Sequence, residues 1–200
     1  MSDTWEMQDE TFLYFMEPWK LQAQPVPENS RVFAFRADGS MSGLWFSGET
    51  VRWDKSAGPS QLLMARTGTW SMHFAVREVF PASYPGRPEV FMLGACASVD
   101  VYPGAGLMLR ALQQETNTGD TVKYRDVYPA LQPEMEKIWR SAAQQYCGGS
   151  AWTRLYWLSR MDEIVKSVQE PVAELLVRHG LYSAGNLRLN GLAPVAVSRQ

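Results

Sequence analysis

Three reactive side chains alternate along one predicted strand, residues 90–101. Cys96, Ser98 and Asp100 lie two residues apart, and the alternation of a strand places such residues on one face. His73 lies in a neighbouring predicted strand, and one of the two parities of antiparallel pairing brings it opposite Cys96 or Ser98, within about 5 Å. An imidazole beside a thiol, a hydroxyl and a carboxylate is suited to acid–base or covalent catalysis. We therefore take these four as the candidate catalytic residues.

Ser71 and Arg77 belong to the same alternating series as His73, so the same parity places them on the candidate face. We expect Arg77 to bind substrate there. A polar row of this kind is also typical of a sheet face that meets water or that lies beneath a helix. Because pairing and register are not known from the sequence, the pattern leaves both interpretations open.

Tryptophans recur in the predicted strands at Trp45, Trp53 and Trp70. Aromatic rings in the mouth of a curved sheet commonly line ligand pockets, so Trp45 and Trp53 are candidate substrate-binding residues. The alternative is that the rings pack beneath helices, because each ring buries a large area.

A glycine-containing turn, residues 102–106, separates the strand at 90–101 from a predicted helix. Backbone N–H groups of Gly104 and Gly106 at the start of that helix can bind an anion. The arrangement is similar to the strand–turn–helix with which GNAT-type acyltransferases hold the coenzyme A pyrophosphate, and residues 173–181 are similar to a second part of that family. The resemblance implies coenzyme A binding at the two glycines, although the family's fuller glycine pattern is missing. A tight turn that simply needs glycine is the other interpretation.

Metal and nucleic-acid binding are not predicted. The chain has two histidines and two cysteines, all far apart, whereas a zinc site needs three or four ligands at recognisable spacing. His179 lies on the apolar face of a predicted helix, where we expect packing rather than metal ligation. A formal net charge of −2 and a pI near 5.7 argue against general nucleic-acid binding.

No apolar stretch is long enough to span a bilayer, and the first 30 residues, with six acids and one lysine, do not resemble a signal peptide. We expect no membrane partner. Cys96 and Cys147 are isolated, which is typical of a reducing compartment, so we expect a cytoplasmic protein.

Length and composition predict a single domain, because 200 residues that are 46% hydrophobic can bury a core without disulfides or metals. Asp38-Gly39 is a strong hairpin signal, and regularly spaced turns favour an antiparallel sheet. We predict the α+β class, with a curved antiparallel sheet covered by C-terminal helices. The predicted parts are an acidic aromatic N-terminal segment (1–30), a β-meander (31–101), a mainly helical part (106–180) and a terminal strand (187–197).

Apolar stripes of helical period predict helices at 106–115, 133–146 and 159–179. Pro133 suits the first turn of the second helix, and the stripe of the third continues through Pro171. Gly180 is predicted to end the third helix. Further strands are predicted at 151–158 and 187–197. The stretch 10–17 is ambiguous between strand and helix; its aromatic density favours a strand, and Pro18 would end a helix early.

Three function classes remain open. The first is a protein that binds a small apolar or acyl-type ligand between sheet and helices, with acid–base or group-transfer chemistry by His73. The second is a coenzyme A-dependent acyltransferase that uses Gly104 and Gly106. The third is a non-enzymatic interaction protein, such as an inhibitor, immunity or assembly factor, whose acidic aromatic N-terminal segment contacts a protein partner. The sequence identifies no cofactor, and the fold does not choose among these classes.

Overall fold

The computed structural model describes residues 11–17, 23–52, 61–68, 70–77, 89–99, 105–116, 118–147, 154–183 and 188–194. Within these ranges the chain forms nine strands and three helices. The strands are β1 (Thr11–Met16), β2 (Ser30–Phe35), β3 (Met41–Phe46), β4 (Gln61–Arg66), β5 (Trp70–Arg77), β6 (Glu89–Val99), β7 (Thr121–Lys123), β8 (Leu181–Ser183) and β9 (Arg188–Pro194). The helices are α1 (Ala105–Thr116), α2 (Tyr124–Cys147) and α3 (Arg154–Arg178).

Five strands form an antiparallel sheet in the order β3-β2-β4-β1-β7, which with the C-terminal helices confirms the predicted α+β class. The turn predicted at Asp38-Gly39 joins β2 to β3. The Arg36 amide donates to the Ser40 carbonyl at 2.8 Å, and the Asp38 carboxylate accepts from the Ser40 amide at 2.8 Å. Gly39 has a φ of 84°, in the left-handed region that favours glycine.

The strands of this sheet do not follow one another in sequence order. β4 pairs with β2 rather than with β3, and β1 lies between β4 and β7. β1 is thus an interior strand, and its Phe12 and Phe15 side chains are 0% and 3% exposed. From Thr11 to Met16 the segment thus supplies part of the core. The expectation that the segment contacts a protein partner stays untested.

The two faces of the first sheet pack against different parts of the chain. On one face Gly106 of α1 contacts the ring of Phe33, and the guanidinium carbon of Arg110 lies 5.2 Å from the ring centroid of Phe35. The opposite face has a hydrophobic cluster formed by Met16, Val26, Val32, Ala34, Val51, Leu62 and Met64.

β5, β6, β8 and β9 belong to a second sheet. β6 pairs antiparallel with β5 on one edge and with β9 on the other. The residues predicted as one meander thus supply strands to two sheets, and the strand predicted at 187–197 is present as β9. Contacts group the chain into two compact units, residues 1–69, 98–130 and 177–182 in one and residues 70–97, 131–176 and 183–200 in the other.

α2 begins at Tyr124, nine residues before the start predicted at Pro133. The Asp126 carboxylate accepts a hydrogen bond from the Lys123 amide at 2.9 Å, so a first-turn acid satisfies a backbone donor at the start of the helix. Pro133 lies inside α2, and the predicted start was wrong because proline favours the first turn of a helix without being confined to it.

α3 begins at Arg154, so the strand predicted at 151–158 is wrong from that residue onward. Aromatic residues there favour a strand only weakly, and the helix overrides that preference. α3 continues through Pro171 as predicted, and Gly180, with a φ of 74°, follows its last turn. Its apolar stripe is buried at Ile164, Val165, Val168, Val172, Leu175 and Leu176.

Candidate functional site

β5 and β6 bring the candidate catalytic positions onto one face of the second sheet. Ser71 lies opposite Cys96, and His73 lies opposite Gly94. Directly opposed residues of an antiparallel pair share a face, so Ser71, His73 and Cys96 have the common parity that a shared site requires.

The register also corrects the expected neighbours of His73. We expected Cys96 or Ser98 directly opposite His73, but Gly94 has that position. Cys96 is the diagonal neighbour of His73, and diagonal neighbours in a sheet lie about 7–8 Å apart. The imidazole of His73 is long enough to reach toward a diagonal neighbour, whereas the side chain of Cys96 is short.

We call Ser71, His73 and Cys96 the candidate row. Arg188 of β9 lies closer to this row than Arg77 does. Arg77 is opposite Val90, six residues before Cys96 along β6, and six residues of a strand span about 20 Å. Arg188 is opposite Gly94 on the other edge of β6. The sequence predicted the strand that carries Arg188, but it did not predict that this strand pairs with β6, because no local pattern specifies pairing between distant strands.

The opposite face of β5 is apolar. It carries Met72, which is 0% exposed, and alternation adds Trp70, Phe74 and Val76. By alternation, Ser71, His73 and Cys96 lie on the sheet face opposite to that of Met72.

Three predicted site residues, Trp53, Asp100 and Gly104, lie outside the described residues. Ser98 lies in β6 at the parity of Cys96, beyond the described pairing with β5. The described register therefore places His73 and Cys96 of the predicted catalytic set at one parity, together with Ser71. The catalytic roles of these residues stay predictions.

Gly106 has a packing role in the first turn of α1. A Cβ atom at this residue would lie 2.5 Å from Cδ1 of Phe33, and such a distance requires the ring to move. This contact explains the glycine without a bound anion. Coenzyme A binding by the turn therefore stays an untested prediction.

Trp45 packs on the sheet face opposite α1. It is partly buried against the hydrophobic cluster that contains Val32 and Met64, and its indole lies over Gly43, where a Cβ atom would be 2.6 Å from Cη2 of the ring. These are contacts of a core residue. The expectation that Trp45 binds a ligand stays untested.

β3 is an edge strand, and in the described part of the chain no strand pairs with its outer side. At its end the Glu49 carboxylate accepts from the Phe46 amide at 2.7 Å, and the Glu49 amide donates to the Phe46 carbonyl at 3.0 Å. A register shift between Gly43 and Met41 interrupts the ladder near the other end. A hydrogen-bonded turn and a register shift of this kind limit the addition of a further strand at an edge.

An open groove of about 520 Å³ lies along α2 and is lined by Pro133, Glu136, Lys137, Arg140 and Ser141. The Gln132 amide donates to Glu136 at 2.8 Å, and the Arg140 guanidinium lies 3.7 Å from the same carboxylate. This open groove is lined by charged and polar residues of one helix and does not indicate a ligand class. The expectation of an apolar pocket between sheet and helices stays untested.

His179 is a packed residue that pairs with α1. Its side chain is 12% exposed, and Nε2 lies 3.6 Å from the Glu115 carboxylate. Across the described ranges, no group of three or more His, Cys, Asp or Glu residues could hold a metal ion. None of the helices described there is both long and apolar enough to cross a bilayer.

No protein-family model matches the chain, and no curated protein matches it.

Proposed function

We propose that this chain binds a small acyl compound and transfers its acyl group through Cys96, with His73 as the acid–base group. The observation that supports the proposal is the β5–β6 register, in which His73 and Cys96 are diagonal neighbours of the same parity. Gly94, opposite His73, contributes no side chain to this row, which leaves its backbone open to the approach of a ligand. Beside it, between Phe91 and Leu93, the pairing of β6 with β9 shifts register.

The chemistry uses two proton transfers in each half of the reaction. His73 takes the thiol proton of Cys96, and the thiolate attacks the carbonyl carbon of an ester. The C–O bond breaks, the alcohol leaves with the proton from His73, and Cys96 holds a thioester. Water then gives a proton to His73 and attacks the thioester carbonyl. The C–S bond breaks, the thiolate recovers its proton, and the acyl group leaves as the acid.

Ser71 is the residue that we propose to stabilise this reaction. It lies directly opposite Cys96, where cross-strand neighbours are about 5 Å apart. Its hydroxyl can donate a hydrogen bond to the carbonyl oxygen as negative charge develops on that oxygen.

Brief labelling with iodoacetamide, followed by peptide mapping, tests the reactive pair. We expect Cys96 to be labelled at least about tenfold faster than Cys147, because an adjacent imidazole favours the thiolate. His73→Gln should remove the difference. Cys147, the last residue of α2, is the internal control in the same chain.

Hydrolysis of p-nitrophenyl acetate tests the transfer step. Cys96→Ala should abolish turnover, whereas the matched Cys147→Ala variant should keep it. Circular dichroism establishes that each variant is folded. Labelling of Cys96 no faster than that of Cys147, or turnover that survives Cys96→Ala, would show that the proposed function is wrong.

A further inference from the structure

We infer that Arg188 makes the site select anionic compounds, so that the acyl substrate carries a carboxylate or phosphate group. The inference rests on the proposed function, because it names the substrate class of the same site. It depends on a row of three residues, on the charge of one sheet face and on the spacing between Arg188 and Cys96.

Three adjacent strands form the row, with His73 in β5, Gly94 in β6 and Arg188 in β9. The register pairs Gly94 with both of the others. The outer two of three adjacent strands lie about 10 Å apart. The row therefore has a base at one end, a permanent cation at the other, and between them a residue without a side chain.

Among the described residues of β5, β6 and β9, those that share the parity of His73 include Arg77 and Arg188 and no acid. Arg77 is the third basic residue, at the far end of β5. Glu89, the acid that these three strands contain, alternates to the opposite face. An anionic ligand on this face therefore meets no like charge from the three strands.

The guanidinium group of arginine binds carboxylates and phosphates through two parallel N–H···O bonds. Arg188 is opposite Gly94, two residues from Cys96, so Arg188 and Cys96 are diagonal neighbours about 7–8 Å apart. A short acyl chain that ends in an anionic group matches this separation. We therefore assign the substrate to short acyl compounds with one terminal oxyanion.

Two alkylating agents that differ in charge test the inference on the full chain. Iodoacetate is anionic and iodoacetamide is neutral, and both alkylate a thiolate in the same way. For wild type we expect the iodoacetate-to-iodoacetamide rate ratio at Cys96 to exceed that at Cys147 about tenfold, because a nearby cation attracts the anionic reagent. This excess should decrease in 1 M salt.

Arg188→Gln should reduce the rate ratio at Cys96 to that at Cys147. Arg188→Lys, which retains the positive charge, should keep most of the excess. Comparison of the two variants distinguishes an effect of charge from an effect on folding. Arg125→Gln is the matched control, because Arg125 in α2 is 71% exposed and the same charge is removed. Protection of Cys96 from iodoacetamide by succinate identifies a carboxylate substrate, and protection by inorganic phosphate identifies a phosphate substrate.

Equal ratios at the two cysteines, an excess that survives Arg188→Gln, or the absence of protection by both anions would overturn the inference. Rapid iodoacetamide labelling of Cys96 in the same samples would leave the proposed function standing. Slow labelling of Cys96 by both reagents would overturn the proposed function and the inference together.

Discussion

The backbone of Gly106 lies so close to the ring of Phe33 that a Cβ atom at residue 106 would be 2.5 Å from the ring atom Cδ1. The contact joins the first turn of α1 to β2, and both residues are buried. Glycine at this position gives the ring the space that a side chain would occupy.

Gly106→Ala should destabilise the protein by about 1–3 kcal/mol, because overpacking outweighs the roughly 1 kcal/mol by which alanine favours a helix. Urea unfolding measures the change. Gly68→Ala is the control, since no described atom lies within 4 Å of a Cβ there, and it should change stability by less than about 0.5 kcal/mol. Stabilisation by Gly106→Ala would contradict the contact with Phe33.

Leu175→Ala should lower the free energy of unfolding by about 2–5 kcal/mol, because Leu175 in the stripe of α3 is 0% exposed. Val177, in the same helix, is 39% exposed, and Val177→Ala should cost well under half as much. Chemical unfolding of both variants compares the two sites. Equal losses would show that the stripe does not determine the packing of α3.

Stability should decrease at alkaline pH because of two tyrosines on α2. Burial raises the pKa of Tyr124 and of Tyr128, and the positive charge of Arg66 partly opposes the change at Tyr124. Tyr124 also stacks on Phe12, with ring centroids 5.5 Å apart. The folded state therefore favours the neutral phenols, and this stability is present below about pH 10 and lost as the pH rises through the raised pKa.

Unfolding free energies measured from pH 8 to 11.5 test this expectation. The double variant Tyr124→Phe/Tyr128→Phe should lose less stability across this range than wild type. Tyr182 is 57% exposed, so Tyr182→Phe is the control and should follow the wild-type curve. Parallel curves for the double variant and wild type would contradict the role assigned to the two phenols.

Local patterns in the sequence were sufficient for several elements. Asp38-Gly39 predicted the β2–β3 hairpin because its turn needs a residue with positive φ, and Gly39 has a φ of 84°. The 3.6-residue stripe of α3 predicted a continuous buried face through Pro171. Alternation predicted that Ser71 and His73 share a face, because neighbouring positions in a strand point to opposite sides.

Helix starts were less predictable. Pro133 favoured a later start for α2, but the start depends on the Asp126 carboxylate, which accepts from the Lys123 amide. Several residues near the start could cap a helix, so a local rule alone does not identify the one that does.

Tertiary structure decided which strands are neighbours and in which register. Backbone hydrogen bonds are alike for every strand pair, so the sequence of β6 does not specify whether Gly94 or Cys96 lies opposite His73. For the same reason the sequence did not predict that Arg188 lies near His73 and Cys96, since this position depends on the pairing of β9 with β6. The sequence by itself determined which residues share a face, and the packing of distant strands decided which of them are neighbours.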